Sequence, residues 1–588
     1  MNKHNGTLKT IFLTAVENYK KKDFKTAEIY CYKILSIDPN HFESISMLAT
    51  IAAINRDFSK AKELLHKAIE IQPKNISAIH NLATANTELG ELQEAKKFYQ
   101  KVLEIDPNHV NANYNLGLVF YKLKELIKAK NYLKKTVTIQ NNYALAFFSL
   151  ANVHFDLKEH DHAVACYQKA IEIKSDFVSA HNNLGLVFRE LNDFENSISS
   201  YKKAIQIQPN YPSAYQNLAQ AYKETGKFEK AVESHKMAIK FEPNNLVHYH
   251  FLTELKKDFL DSVLKEKILK ILENKNNSKI NLAYGNFILA KYERKNKNYK
   301  KEFDYLVKGH QDFYNANKKK FDLGIKYSFN DILQISNEAK LNKDSKKNEI
   351  KIKPIFIIGV PRCGSTLLEK IIGSGDQLVP LGEETSVLEN YINNKILEKK
   401  SLNLGSDTEA RNELYHIYKM RGLISEKGKF VFTDKSLNNF FYLNLIKEIF
   451  PDAKVINCRR NILSSILSIF QNNLTDLAWA HDLENIFKYF NNYFNITEIY
   501  KKENSYNIYD LEFEKLINEP EIESKKLMEF CGLPWNKKCL EFYKRKDLIS
   551  KTASNIQIRK AIYKHEANRY LPYKGFLDKL GKNYSWYN

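Results

Sequence analysis

Small and apolar positions recur every 34 residues through the first 246 residues of the chain. The segments SAIHNLATANTELGELQEAKKFYQKVLEIDPNHV (77–110), SAHNNLGLVFRELNDFENSISSYKKAIQIQPNYP (179–212) and SAYQNLAQAYKETGKFEKAVESHKMAIKFEPNNL (213–246) align without gaps. Each predicts two helices joined by a turn. One small position holds Ala15, Ala49, Ala83, Gly117, Ala151, Gly185 and Ala219. A second holds Ala27, Ala61, Ala95, Ala129, Ala163, Ser197 and Ala231. Antiparallel helices pack tightly only where one face carries no bulk. Pro39, Pro73, Pro107, Pro209 and Pro243 stand where the second helix must end, because proline lacks an N–H and clashes with the preceding turn.

This pattern resembles the tetratricopeptide repeat, in about seven copies over residues 8–246. The resemblance implies an all-α, right-handed solenoid with a concave groove. Such a groove binds a protein or peptide; a scaffold or dimerisation arm is the other use, and a homodimer stays open. EHDHAV places His160 and His162 at the turn between two repeat helices, which favours a turn over a metal site.

Residues 247–345 keep helical spacing but lose the register, as a degenerate helical cap would. KLNKDSKKNEIKIK (340–353) has the composition of a linker. The pattern then changes. KPIFIIGV (353–360) is a short apolar run rich in β-branched residues, and STLLEKIIG (365–373) has helical spacing. AKVINCRRNILSSILSIFQNN (453–473) repeats that order. Alternating strand and helix predict an α/β domain with a mainly parallel sheet. The expected domains are therefore a repeat solenoid (1–246), a cap and linker (247–352) and an α/β domain (353–588).

Composition changes this picture little. The 588 residues are 43% hydrophobic and 27% charged, which is ordinary for a globular protein with a core. The net charge of +21 comes from scattered lysines without a long basic block, so it does not call for a nucleic-acid partner. Six well-separated cysteines suit a reducing compartment better than a disulfide framework. Cys531 and Cys539 flank GLPWNKK and are read as packing residues. The opening stretch lacks the apolar core of a signal peptide, and no run reaches the roughly 20 apolar residues of a membrane span. The expectation is a soluble, cytoplasmic protein.

Candidate chemistry begins in IIGVPRCGSTLLEK (357–370). Gly359 and Gly364 have the spacing of a phosphate-binding P-loop, but Ser365 stands where its lysine belongs. A loop between a strand and a helix N-terminus still offers backbone N–H groups to an anion. Arg362 adds a bidentate fork. In the second strand–helix unit, Arg460 follows the strand and Ser468 lies eight residues on, a pair able to clamp a second phosphate. Two anion sites on one sheet point to a nucleotide with phosphates at both ends.

These motifs resemble the sulfotransferases that use 3′-phosphoadenosine-5′-phosphosulfate (PAPS). Pro361-Arg362-Cys363-Gly364-Ser365-Thr366 is similar to their 5′-phosphosulfate loop. Arg460 with Ser468 is similar to their 3′-phosphate motif. GEETSVLENYI (382–392) resembles a segment of tyrosylprotein sulfotransferases, which implies that Glu383 is the catalytic base. FTDKSLNNF (432–440) carries Lys435 at the catalytic lysine position. KTASNIQIRKAIY (551–563) implies cofactor contacts from Ser554 and Lys560. The resemblance covers about 353–588, and the whole chain resembles bacterial tetratricopeptide–sulfotransferase fusions. It implies catalysis by Glu383, Lys435 and Arg362, a PAPS contact at each residue from Arg362 to Thr366, and no metal. Cys363, Phe513 and Ala561 depart from the usual Ser, Tyr and Pro.

Protein tyrosine is the acceptor this resemblance favours; a carbohydrate, a lipid or a small metabolite stays open. Two readings come from other classes. A P-loop kinase would need the missing lysine and a metal-holding carboxylate, for which Asp510 is the candidate. A non-catalytic repeat scaffold would not need Arg362, Glu383, Lys435, Arg460 and Ser468.

Overall fold

The computed structural model describes residues 2–344, 352–424, 430–504, 507–545, 557–562 and 568–587. The chain divides into two compact units, Met1–Leu218 and Ala219–Asn588.

The first unit is a succession of antiparallel helix pairs, from Asn2–Lys20 with Phe24–Leu35 to Val178–Glu190 with Phe194–Ile207. The small positions are where the paired helices touch. Ala27, Ala61, Ala95, Ala129 and Ala163 are wholly buried. A methyl group on Gly185 would lie 2.7 Å from the ring of Tyr201, so only glycine fits there. Ser197 replaces alanine in the sixth pair, and its hydroxyl donates to the Gly185 carbonyl at 2.8 Å. The inter-helix turns share a left-handed residue at the same 34-residue interval: Lys22, Arg56, Gly90, Lys124, Lys158 and Asn192. Most of these carry a side chain despite a cost of about 1–2 kcal/mol. Asp23, Asp57 and Asp193 then cap the next helix.

The second unit opens in the helix Pro212–Glu224, continues through helices to Ile332–Glu338, and reaches an α/β core. Four parallel strands form its sheet: β1 (Lys353–Gly359), β2 (Val431–Asp434), β3 (Lys454–Arg459) and β4 (Ile508–Glu512), in the order β2-β1-β3-β4. Ile355 to Ile358 are almost wholly buried, as a strand covered on both faces requires. A two-stranded parallel ribbon pairs Lys340–Asn342 with Asn403–Ser406. Thus the segment expected to be a linker begins with a short strand, while residues 345–351 lie outside the described ones. No helix among the described residues is long and apolar enough to cross a membrane. The six cysteines are free thiols.

Strand order decides where chemistry can sit. β1 is followed in sequence by its neighbour on one side, β2, and then by its neighbour on the other, β3. Ligands of open parallel sheets bind beyond the carboxyl ends of the strands at such a switch point.

Candidate active site

The carboxyl edge of the sheet collects most of the candidate residues. β1 ends at Gly359 and leads into the loop, β2 ends just before Lys435, β3 just before Arg460, and β4 just before Phe513. A pocket at this edge is lined by Arg362, Gly364, Thr366, Arg460, Ser468 and Lys560, together with Phe513 and Ala561. These residues span about 200 positions in sequence and meet because each follows a strand or belongs to the next helix.

The loop is held open by unusual backbone. Arg362 is left-handed at φ 72° and Gly364 at φ 102°. A Cβ on Gly364 would lie 2.2 Å from the Phe513 ring, so the loop lies flat against that ring. The helix Ser365–Ile372 starts there, placing its N-terminal turn, with Thr366, at the pocket. Arg362 Nε donates to Ser468 Oγ at 3.1 Å, and an Arg460 Nη donates to the Arg362 carbonyl at 3.0 Å. The Arg460 guanidinium also stacks over Phe513, 5.0 Å from the ring centre. Phenylalanine here offers a surface to the arginine where tyrosine would have added a hydroxyl.

Cys363 and Ser365 are buried and do not line the pocket. The Cys363 side chain turns inward against β3, where the Cys458 thiol donates to the Cys363 carbonyl at 3.4 Å. Its contribution to the pocket is therefore backbone. Ser554 lies outside the described residues. Lys560 is exposed beside Arg559, whose guanidinium donates to the Glu224 carbonyl at 2.9 Å and packs on Gly226.

Glu383 and Lys435 form a second group at the same edge. Residues 380–384 run beside the end of β2: Thr433 N donates to Pro380 O, Lys435 N to Gly382 O at 2.9 Å, and Glu384 N to Lys435 O. A Cβ on Gly382 would meet the Thr433 carbonyl at 2.3 Å, so this close approach needs glycine. It brings Glu383 Oε1 to 3.2 Å from Lys435 Nζ. Lys435 is fully buried. Burial alone would lower its pKa, but the carboxylates of Glu383, Glu369 and Glu384 outweigh it and raise the value. Asp434 anchors the turn, accepting from Tyr418 and from the N–H and hydroxyl of Ser436. The Ser436 hydroxyl accepts in turn from Ser386 N.

Sequence reasoning missed two members of this group. Lys370 is 2% exposed, and its ammonium is 3.8 Å from both Glu383 and Glu369. Glu369 is wholly buried and accepts from the Thr433 hydroxyl at 3.0 Å; burial raises its pKa. The LLEKII spacing hinted at neither, because a Glu-Lys pair inside a helix resembles a solvated face. Asp510, the metal-holding candidate of the kinase reading, accepts from Lys501, Arg459 and Asn457 and serves as a structural ion pair.

Comparison with known proteins bears on the same regions. The family model described as Sulfotransferase family matches residues 354–537. Tetratricopeptide-repeat models match 84–124, 110–143, 151–189, 185–226 and 212–245, and a model of anaphase-promoting complex subunit 3 matches 20–102. An uncharacterized protein of Aquifex aeolicus (strain VF5) is 31% identical over 313 residues, covering 50% of this chain and 40% of that protein. Protein-tyrosine sulfotransferase A of Caenorhabditis elegans is 28% identical over 219 residues, covering 34% and 54%. The chain thus spans about half the length of the curated relatives it matches. Among solved structures, MamA is 30% identical, covering 28% of this chain and 95% of that one with a TM-score of 0.27. The chain carries tetratricopeptide repeats in its N-terminal region and a domain of the sulfotransferase family over residues 354–537.

Proposed function

We propose that the protein transfers the sulfuryl group of PAPS to an acceptor hydroxyl. The observation that carries this reading is convergence: Arg362, Arg460, Ser468 and Lys560 line one pocket at the sheet edge that also presents the Glu383–Lys435 pair. The loop's N–H groups and Arg362 suit the 5′-phosphosulfate, and Arg460 with Ser468 suits the 3′-phosphate. Cys363, Gly364, Ser365 and Thr366 contribute chiefly through the loop backbone, and Ser554 and Lys560 would close the nucleotide from the C-terminal side.

In this mechanism the acceptor oxygen attacks sulfur while Glu383 takes its proton. The bond from sulfur to the bridging oxygen breaks, and adenosine-3′,5′-bisphosphate leaves. Charge builds on that bridging oxygen, where Lys435 and Arg362 stabilise it. The 3.2 Å ion pair supplies the coupling. As Lys435 turns its charge toward the leaving oxygen, Glu383 loses a neutralising partner and becomes a better base. In this reading no divalent ion is required, because the loop holds a phosphosulfate and no γ-phosphate.

Protein tyrosine is the proposed acceptor, supported by the C. elegans relative. The repeats of 1–246 would capture the acceptor or a partner protein, residues 247–352 would serve as cap, and 353–588 would perform transfer in the cytoplasm. Isothermal titration with adenosine-3′,5′-bisphosphate tests the pocket: binding should occur equally with and without Mg²⁺. Labelled-sulfate transfer from PAPS into lysate fractions, followed by mass spectrometry, tests the acceptor. Label on tyrosine supports the reading; label confined to carbohydrate or lipid overturns the tyrosine assignment. No nucleotide binding overturns the whole.

A further inference from the structure

One side-chain cluster in the repeats has the composition and placement of a metal centre. His154 lies near the end of the helix Ala144–Asp156, Glu159 precedes the helix His160–Ile173, and His162 lies in that helix's first turn. The left-handed Lys158 (φ 63°) folds the second helix back, bringing Glu159 and His162 over His154. One donor atom from each residue lies within 4.8 Å of the other two. His154 Nδ1 is 2.5 Å from Glu159 Oε2, and the two imidazoles stack with centres 5.2 Å apart.

Internal comparison of the repeats sets this turn apart. One repeat earlier and later, the place of His154 is taken by Phe120 and Phe188, and that of His162 by Lys128 and Asn196. The fifth repeat has thus exchanged a core aromatic and a surface polar residue for two imidazoles on either side of a carboxylate.

We propose that His154, Glu159 and His162 bind a divalent transition-metal ion of the zinc class, with a fourth position open to water. Two imidazoles and a carboxylate make a three-ligand zinc set, and imidazole selects such ions over Mg²⁺ and Ca²⁺. Tetrahedral bonds of about 2.0–2.1 Å set donors roughly 3.3 Å apart. The exposed His162 can make that adjustment with little cost to the core. Lys130 holds Glu159 Oε1 at 2.7 Å, leaving Oε2 toward His154. Its charge opposes an incoming cation and moderates affinity. The ion would tie the two helices of one repeat together across their turn.

Calorimetric titration of the full chain with ZnCl₂ tests the site, with MgCl₂ in parallel and the visible spectrum of added Co²⁺ as a second readout. The expected result is one zinc ion per chain that His162→Ala weakens by about tenfold or more. Lys130→Gln should tighten it, Mg²⁺ should not bind there, and the Co²⁺ bands of a four-coordinate site should vanish in His162→Ala. His162 is exposed, so this variant leaves the fold intact. A zinc isotherm unchanged by both His162→Ala and Glu159→Gln would assign binding to other histidines and overturn the proposal, as would absence of zinc binding.

Discussion

Glu383 sits between two lysine ammonium groups, Lys435 at 3.2 Å and Lys370 at 3.8 Å. Its charge pairs with Lys435 in the resting state, and the proposed reaction calls on its basicity. Glu383→Gln keeps shape but removes the proton acceptor. It should retain adenosine-3′,5′-bisphosphate affinity and lose turnover, measured by single-turnover sulfate transfer. Activity within about threefold of the parent would move the base to Glu384, whose carboxylate is 3.8 Å from Lys435. In the proposed reading Arg460 serves the other end of the nucleotide. Arg460→Ala removes a charge-assisted contact of roughly 1.5–3 kcal/mol, so bisphosphate affinity should fall about tenfold to a hundredfold. Adenosine-5′-phosphosulfate, which lacks the 3′-phosphate, should lose much less. Equal losses in calorimetry would mean that Arg460 does not read that phosphate.

The helix Ile462–Phe470, which carries Ser468, is fastened at its end by two buried histidines. His310 Nε2 donates to the Phe470 carbonyl at 2.7 Å, and His310 Nδ1 is 3.0 Å from His481 Nδ1. Burial holds His310 down at about 4 and His481 at about 3. Both lie below the ordinary histidine value of about 6.5. The unfolded chain therefore binds more protons between these limits. Stability is complete above about pH 6.5 and falls as the pH drops through the folded values. The neutral, buried His235 and His250 act in the same direction. The urea midpoint of the second unit should thus decrease from pH 7 to pH 5, followed by Trp fluorescence; a constant midpoint contradicts this account. Helices and strands were legible in the sequence because their signals are local: the 34-residue period, the proline stops and the β-branched run 353–360 all mark real elements. The lysines at left-handed turns carried no such signal. Their conformation follows from the packing of the paired helices, not from local preference. Arg362, Arg460 and Ser468 were legible because each sits beside a recognisable strand or loop. Lys370 and Glu369 were not, since their burial depends on residues 380–384 and β2, which cover them from at least ten positions away.

At the scale of the molecule, sequence period and compactness divide the chain differently. The repeats run to 246, while the second compact unit already begins at Ala219. Arg559 shows why this matters. It is anchored to Glu224 and Gly226 in the turn of the last repeat, and its neighbours Ile558 and Lys560 line the pocket at the carboxyl edge of the sheet. A truncation beginning at Pro212 should keep bisphosphate affinity within about twofold, whereas one beginning at Val247 should weaken it severalfold, because Arg559 loses the Glu224 carbonyl and the Gly226 turn it packs on. Equal affinities by calorimetry would show that the anchor is dispensable. If the repeats capture the acceptor, both truncations should raise its KM, since tethering supplies an effective concentration of about a millimolar. That single arginine also limits what can be exchanged. A chimaera that replaces the array at its last sequence repeat would carry a foreign turn under the pocket wall, so recombination that preserves the enzyme must cross over before Pro212 and inherit the seventh repeat along with the transfer domain.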